Sequence, residues 1–171
     1  MIGLWIRKVI LRRVIGYRNE RRYWEWRYAH GHIERNPNYR SEMEEKVRKV
    51  MVDRGCKNVL EIGCGQVALK GLPNHTGLDF SRNIDCDIHA DITKRIPLPD
   101  KCFDAVLSSK ILMHIPSEKI ERACTEISRV GKLVILNEPR VKTPEFNCYD
   151  HDYKRLFKDT PMVVVTEERL P

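Results

Sequence analysis

The sequence has six cysteines, at 56, 64, 86, 102, 124 and 148, but no CxxC pair. That spacing excludes zinc ribbons and thioredoxin-type redox motifs, and no metal site is expected. The longest apolar runs are four to five residues, too short to span a bilayer. Basic residues near the start fall inside and after the apolar ones, and no small-residue cleavage site follows. No secretory leader is therefore expected. The cysteines read as reduced, mostly small core residues of a cytoplasmic protein. No internal repeat or low-complexity tract is evident. At 171 residues the length fits one domain, burying about 70% of its unfolded surface without staples.

Charge is present in quantity but unevenly placed. Residues 1–50 hold 13 Lys/Arg against 6 Asp/Glu, and residues 51–171 hold 18 against 18. The whole excess of seven positive charges sits in the N-terminal segment, which suggests an anionic neighbour: a membrane surface, a nucleic acid or an acidic substrate. Residues 1–28 read as helix, broken near Gly16, without one clean apolar stripe. Trp5, Tyr23, Trp24 and Trp26 are interleaved with arginines. Such aromatics stack on bases or sit at a lipid interface, or pack a lid helix whose basic face is solvated. We divide the chain into a basic N-terminal extension, 1–40, and a globular domain, 41–171.

Within the domain, Ser41 and Glu44 form a capping-box pattern opening a helix over 41–54, with Met43, Val47, Val50 and Met51 as its stripe. Strands are expected at 58–62, 76–79, 84–89, 103–109 and along KLVILNEP. A helix capped by Ser117 runs to about 130. A polar helix at 150–158 precedes a last strand, MVVVTEE. Continuous apolar strands alternating with helices predict an α/β fold: a single Rossmann-like, doubly wound, mostly parallel sheet of about six strands, helices on both faces, plus the N-terminal helical segment.

In such sheets a ligand sits outside the carboxyl ends of the strands. The turn Gly63-Cys64-Gly65-Gln66-Val67-Ala68 fits G-x-G-x-x-G/A, a short and weak signal by itself. Asp79, closing the next strand, is placed for ribose hydroxyls. Glu61, two residues before the turn, would repel a pyrophosphate and suits a ligand with a positive amino group. Then follow Asp91-Ile92 and the run Leu98-Pro99-Asp100-Lys101-Cys102-Phe103-Asp104-Ala105-Val106. From about 55 to 140 this ordered series resembles the class I S-adenosylmethionine-dependent methyltransferases, especially the type 11 group.

The resemblance implies S-adenosylmethionine as cofactor and S-adenosylhomocysteine as product. It also implies roles. Glu61 anchors the methionine amino group; Gly63, Cys64 and Gly65 face the methionine moiety. Asp79, with Phe80 beside it, holds the ribose. Asp91 and the Ile92 amide meet the adenine, Ser108 offers a carbonyl to the cofactor amine, and Tyr28 belongs to an aromatic segment that closes over the site. The chain departs from the pattern: Val67 stands at the third glycine, and only 13 residues separate Gly65 from Asp79, so the first helix is cut short. One strand instead of a hairpin follows the fifth, leaving an exposed edge suited to a homodimer.

Methyl transfer depends chiefly on alignment, and a general base helps when the acceptor is a hydroxyl. His114, then His151 and Asp152, are the candidates, each weighed against an ordinary loop role. The expected acceptor is a small molecule, sugar or lipid-linked glycan, methylated on oxygen or nitrogen. The alternatives are an RNA methyltransferase guided by the basic N-terminus, which contacts RNA or a membrane surface through residues 1–30, and a non-catalytic methyltransferase-like binding module. An NAD-dependent oxidoreductase is disfavoured by Glu61 and by the series after Asp79.

Overall fold

The computed structural model describes residues 20–30, 37–67, 69, 71–141, 148–165 and 169–170. The expected helix break at Gly16 and Trp5 lie outside them. The chain divides into two compact units, residues 1–34 and 35–171. In the first, helix α1 (Glu20–Ala29) stacks its own side chains. The Arg27 guanidinium lies over the rings of Tyr23 and Trp24, at 5.8 and 5.2 Å, and Trp26 stacks on His30. Among the described residues no helix is long and apolar enough to cross a membrane.

The second unit is built on a six-stranded sheet of order β3-β2-β1-β4-β5-β7, every pair parallel. Its strands are β1 (Val59–Ile62), β2 (His75–Asp79), β3 (Ile88–His89), β4 (Phe103–Ser109), β5 (Gly131–Asn137) and β7 (Met162–Val164). A second, two-stranded ladder pairs β6 (Arg140–Val141) with β8 (Arg169–Leu170). Register explains it: Leu136 pairs with Val164, and Arg140 with Arg169. The same two segments resume pairing past Glu138-Pro139, offset by one residue. So three short strands, β6, β7 and β8, rather than one, follow β5 among the described residues.

The sheet is covered on both faces, as its near-continuous apolar strands require. On one face Leu60, Ile62, Val106, Val134 and Leu136 pack with Ile120, Ala123, Cys124 and Ile127 of helix α3 (Ser117–Val130). On the other, Val59, Ala105, Leu107, Leu133 and Ile135 pack with Met43, Val47 and Met51 of helix α2 (Pro37–Asp53). A short helix α4 (Tyr153–Leu156) precedes β7.

Three local expectations need correction. Helix α2 starts at Pro37, so Ser41 lies inside it rather than at its N-cap; proline at a first helical position is preorganised for that role. Glu44 instead accepts from the Gly71 N–H at 3.3 Å, and Arg48 donates to the Gly71 carbonyl. The strand expected at 84–89 shrinks to Ile88–His89. Asp87, exposed, accepts from the Gly77 N–H at 2.7 Å. The polar helix expected at 150–158 is one turn.

The Leu98-Pro99-x-x-Asp stretch is organised by a residue far along the chain. Arg129 donates to the carbonyls of Ile96 and Leu98 and to the carboxylates of Asp100 and Glu126, at 2.7–2.8 Å. Glu126 in turn accepts from the Ile96 N–H, and the guanidinium holds its carboxyl below the ordinary range. Lysine reproduces the charge but not the fork. Arg129→Lys is expected to cost about 1.5–3 kcal/mol in urea unfolding, the range for hydrogen bonds to charged groups.

Candidate functional site

Strand order reverses around β1: the chain moves outward to β2 and β3 on one side, then returns to β4 on the other. The crevice at the carboxyl ends of β1 and β4 is therefore the place for a ligand. The turn after β1 is shaped for close approach. Gly63 and Gly65 have φ of +61° and +57°, which side chains disfavour, and a 3-10 turn (Gly65–Val67) follows. Ile111, from the loop after β4, rests on Gly63: a Cβ there would lie 2.4 Å from its Cδ1.

Two carboxylates, Glu61 and Asp79, bond at or just past this turn. Glu61, 5% exposed, uses Oε2 to accept from the Leu69 N–H at 2.8 Å and from His75 Nε2 at 2.7 Å. Its Oε1 takes no hydrogen bond among the described residues. Asp79 accepts from the Gly65 N–H at 3.1 Å and from the Ser81 N–H at 2.9 Å, one on each oxygen. The Cys64 N–H donates to the Leu78 carbonyl, and the Cys64 thiol packs against Gly77, where burial pushes its pKa up. Asp91 turns one oxygen to the N–H and hydroxyl of Thr93, at 2.9 and 2.7 Å; Oδ2 takes no hydrogen bond among the described residues. Phe80 is half-buried after Asp79, and Ile92 is buried in the core. These residues line one edge of the sheet, from β1 to the end of β3.

On the β4–β5 side the organising group is Glu138, which the sequence reading left unassigned. Its carboxylate is fully buried. It accepts from the Ser108 hydroxyl at 2.6 Å and from the N–H groups of Ile111, Leu112 and Met113 at 2.9, 3.1 and 3.3 Å. Burial pushes its pKa up and those four donors pull it back. An acid just past a buried strand, facing a turn rich in free N–H groups, was the available signal. The Ser108 hydroxyl is thus directed to Glu138.

Of the base candidates, His114 lies on the turn that Glu138 holds, and His151 and Asp152 lie just before α4. His114 ends the 3-10 turn Leu112–His114, with Nδ1 3.8 Å from the Cys148 sulfur. His151, 8% exposed, donates from Nε2 to the Ile115 carbonyl at 2.9 Å, and burial lowers its pKa. The neutral ring then keeps its lone pair on Nδ1. The Tyr149 N–H donates to the Met113 carbonyl, fastening the two loops together. Asp152 is adjacent in sequence but its carboxylate caps α4 by accepting from the Arg155 N–H. His151 and Asp152 thus take separate partners. Tyr28 belongs to the N-terminal unit, with its ring 6.2 Å from that of Trp24.

Among the described residues no cluster of His, Cys, Asp or Glu could hold a metal ion. An open depression of 220 Å³, lined by Arg54, Cys56, Asp104 and Lys132, lies at the amino ends of β1, β4 and β5, away from the glycine turn. There Asp104 accepts from the Lys57 N–H and pairs with Lys132.

Comparison with known proteins places this geometry. Residues 60–133 match a family model described as a methyltransferase domain. No curated protein matches the sequence. Magnesium protoporphyrin IX methyltransferase (ChlM) from Synechocystis PCC 6803, solved with bound SAM, is 18% identical, with a TM-score of 0.53 over 89% of this chain and 84% of that one. Streptomyces venezuelae DesVI is 17% identical, with a TM-score of 0.51 over 67% and 57% of the two chains. The sugar N-methyltransferase KedS8 from Streptoalloteichus sp ATCC 53650 is 19% identical, with a TM-score of 0.47 over 58% and 48%. The chain spans about half the length of the first solved structures it matches.

Proposed function

We propose that this chain, whose residues 60–133 match a methyltransferase-domain model and whose fold is shared with a methyltransferase solved with bound SAM, is a class I S-adenosylmethionine-dependent methyltransferase that transfers a methyl group to a small-molecule acceptor. One observation carries the reading. The reversal of strand order, the positive-φ glycine turn and the acids closing β1 and β2 meet at one end of the sheet.

The residues fit the cofactor by their chemistry. Glu61 Oε1 belongs to a nearly buried side chain and has no donor among the described residues, and an ammonium would satisfy it. Gly63, Cys64 and Gly65 bring backbone close to the methionine part. Asp79, fixed by two N–H donors, keeps acceptor capacity for ribose hydroxyls, with Phe80 alongside. Asp91 Oδ2 and the Ile92 amide suit an amino-substituted ring, and the Ser108 carbonyl the amine. When bound, the cofactor supplies a methyl group made electrophilic by its sulfonium. The chain's own contribution is alignment, worth ~7–11 kcal/mol where it is complete. His151, or His114, accepts a proton when the acceptor is a hydroxyl.

The acceptor class we favour is a small molecule, sugar or lipid-linked glycan, methylated on oxygen or nitrogen; this rests on analogy of fold and on no contact in this chain. The basic segment 1–30 is read as a peripheral contact to an anionic membrane surface or RNA, and the outer edge of β7 as a homodimer edge. Incubating the protein with isotopically labelled S-adenosylmethionine and fractionated extract tests the activity. The expected result is a cofactor-dependent product heavier by one labelled methyl group and absent with Asp79→Ala. Binding of S-adenosylhomocysteine without any methylated product would favour the binding-module reading, to which the shortened first helix lends support.

A further inference from the structure

The shortened connection after β1 raises a physical problem. Glu61 is buried two residues before the turn, and only a 3-10 turn separates that turn from Leu69. A buried carboxylate needs donors, and in a short loop few are at hand. Here the Leu69 N–H supplies one, which closes the loop from Glu61 to Leu69 across the glycine turn. The second donor is His75, on the neighbouring strand. Its Nε2 lies 2.7 Å from the same oxygen, and both side chains are more than nine-tenths buried, at 7% and 6% exposed.

The arrangement divides the labour of one carboxylate. Oε2 receives both donors and Oε1 none among the described residues. Since β1 and β2 are paired, with Val59 opposite His75 and Glu61 opposite Gly77, the imidazole approaches from a fixed frame and sets the carboxylate's orientation.

We infer that His75 is a positioning residue for the cofactor's amino group: it holds Glu61 by one oxygen so that the other is presented beside the glycine turn. This rests on the proposed cofactor and deepens that reading, for it gives the truncated turn a substitute for the missing helix.

Two probes separate positioning from mere structural support. S-adenosylhomocysteine carries the ammonium; 5′-methylthioadenosine has the same nucleoside and thioether but lacks the amino-acid group. His75→Phe, isosteric in bulk but without a donor, is expected to weaken S-adenosylhomocysteine binding by about 10- to 30-fold in calorimetry, the worth of one charge-assisted hydrogen bond. Its affinity for 5′-methylthioadenosine is expected to stay within about twofold, well under one factor of ten in binding. His75→Gln, which keeps an N–H donor, should recover most of the loss, and covers the case in which His75→Phe fails to fold. Equal loss for both probes, or no loss for either in folded protein, overturns the inference. If the unsubstituted protein binds neither probe, the cofactor assignment itself fails, a distinct outcome.

Discussion

Glu138→Ala is expected to lower the unfolding free energy by about 3–5 kcal/mol, the usual cost of removing one partner from a buried charged network. For a domain of this size that is about 10 °C or more in thermal unfolding followed by circular dichroism. The reason lies in the donors left behind. The Ser108 hydroxyl and the N–H groups of Ile111, Leu112 and Met113 all point at one carboxylate, and each buried orphan costs ~1–3 kcal/mol. Relief of the buried charge offsets part of that sum. Glu138→Gln keeps the shape and one carbonyl acceptor, so about half the loss is expected, though its NH2 must face another donor.

The two variants also carry a pH signature. Burial raises the folded-state pKa of Glu138 above the ordinary carboxyl value. A group raised on folding contributes stability that is fully present below its unfolded pKa and lost as pH rises through the folded one. Glutamine has no such dependence. The stability gap between the protein and Glu138→Gln is therefore expected to widen as pH falls from the raised folded value towards the ordinary one. A gap flat across that window would mean that Glu138 does not ionise there.

Gly63→Val is expected to weaken S-adenosylhomocysteine binding by about 100-fold or more, equal to ~2.7 kcal/mol. At φ +61° a side chain costs ~1–2 kcal/mol, more for a β-branched one. The new Cβ would also meet Ile111 at 2.4 and 2.7 Å, displacing a residue whose N–H Glu138 ties down. Gly55 is the control. It has φ +64° but no atom within 4 Å of its added Cβ, and it lies at the far end of β1. Gly55→Ala should cost ~1 kcal/mol of stability and leave binding unchanged. Equal binding loss in both variants would show that strain rather than the site is being measured.

The parts of this fold legible in the sequence are those set by local pattern. β1, β4, β5 and α3 follow from continuous apolar runs and an apolar stripe closed by Gly131. The glycine turn and the acid at the end of β2 follow from spacing. What was hidden depends on partners distant in sequence. The motif around Leu98 and Asp100 is held by Arg129, the Leu112 turn by Glu138, and Glu61 by His75, which sits 14 residues further on. A local signature also misled. Ser41 and Glu44 have capping-box spacing, but Pro37 can begin the helix earlier, which frees Glu44 to fasten Gly71. The expected strand at 84–89 failed because Asp87 and Cys86 bond across to Gly77 and within their own loop rather than along a ladder.

The central claim is that the turn after β1, with Glu61 and Asp79 beside it, holds a cationic adenosine cofactor. Isothermal titration of the full chain with S-adenosylmethionine and, separately, NAD tests it most directly. The account predicts saturable one-to-one binding of S-adenosylmethionine that is lost in Asp79→Ala, with no heat from NAD. Absence of S-adenosylmethionine binding at millimolar concentration, or NAD binding in its place, would contradict it.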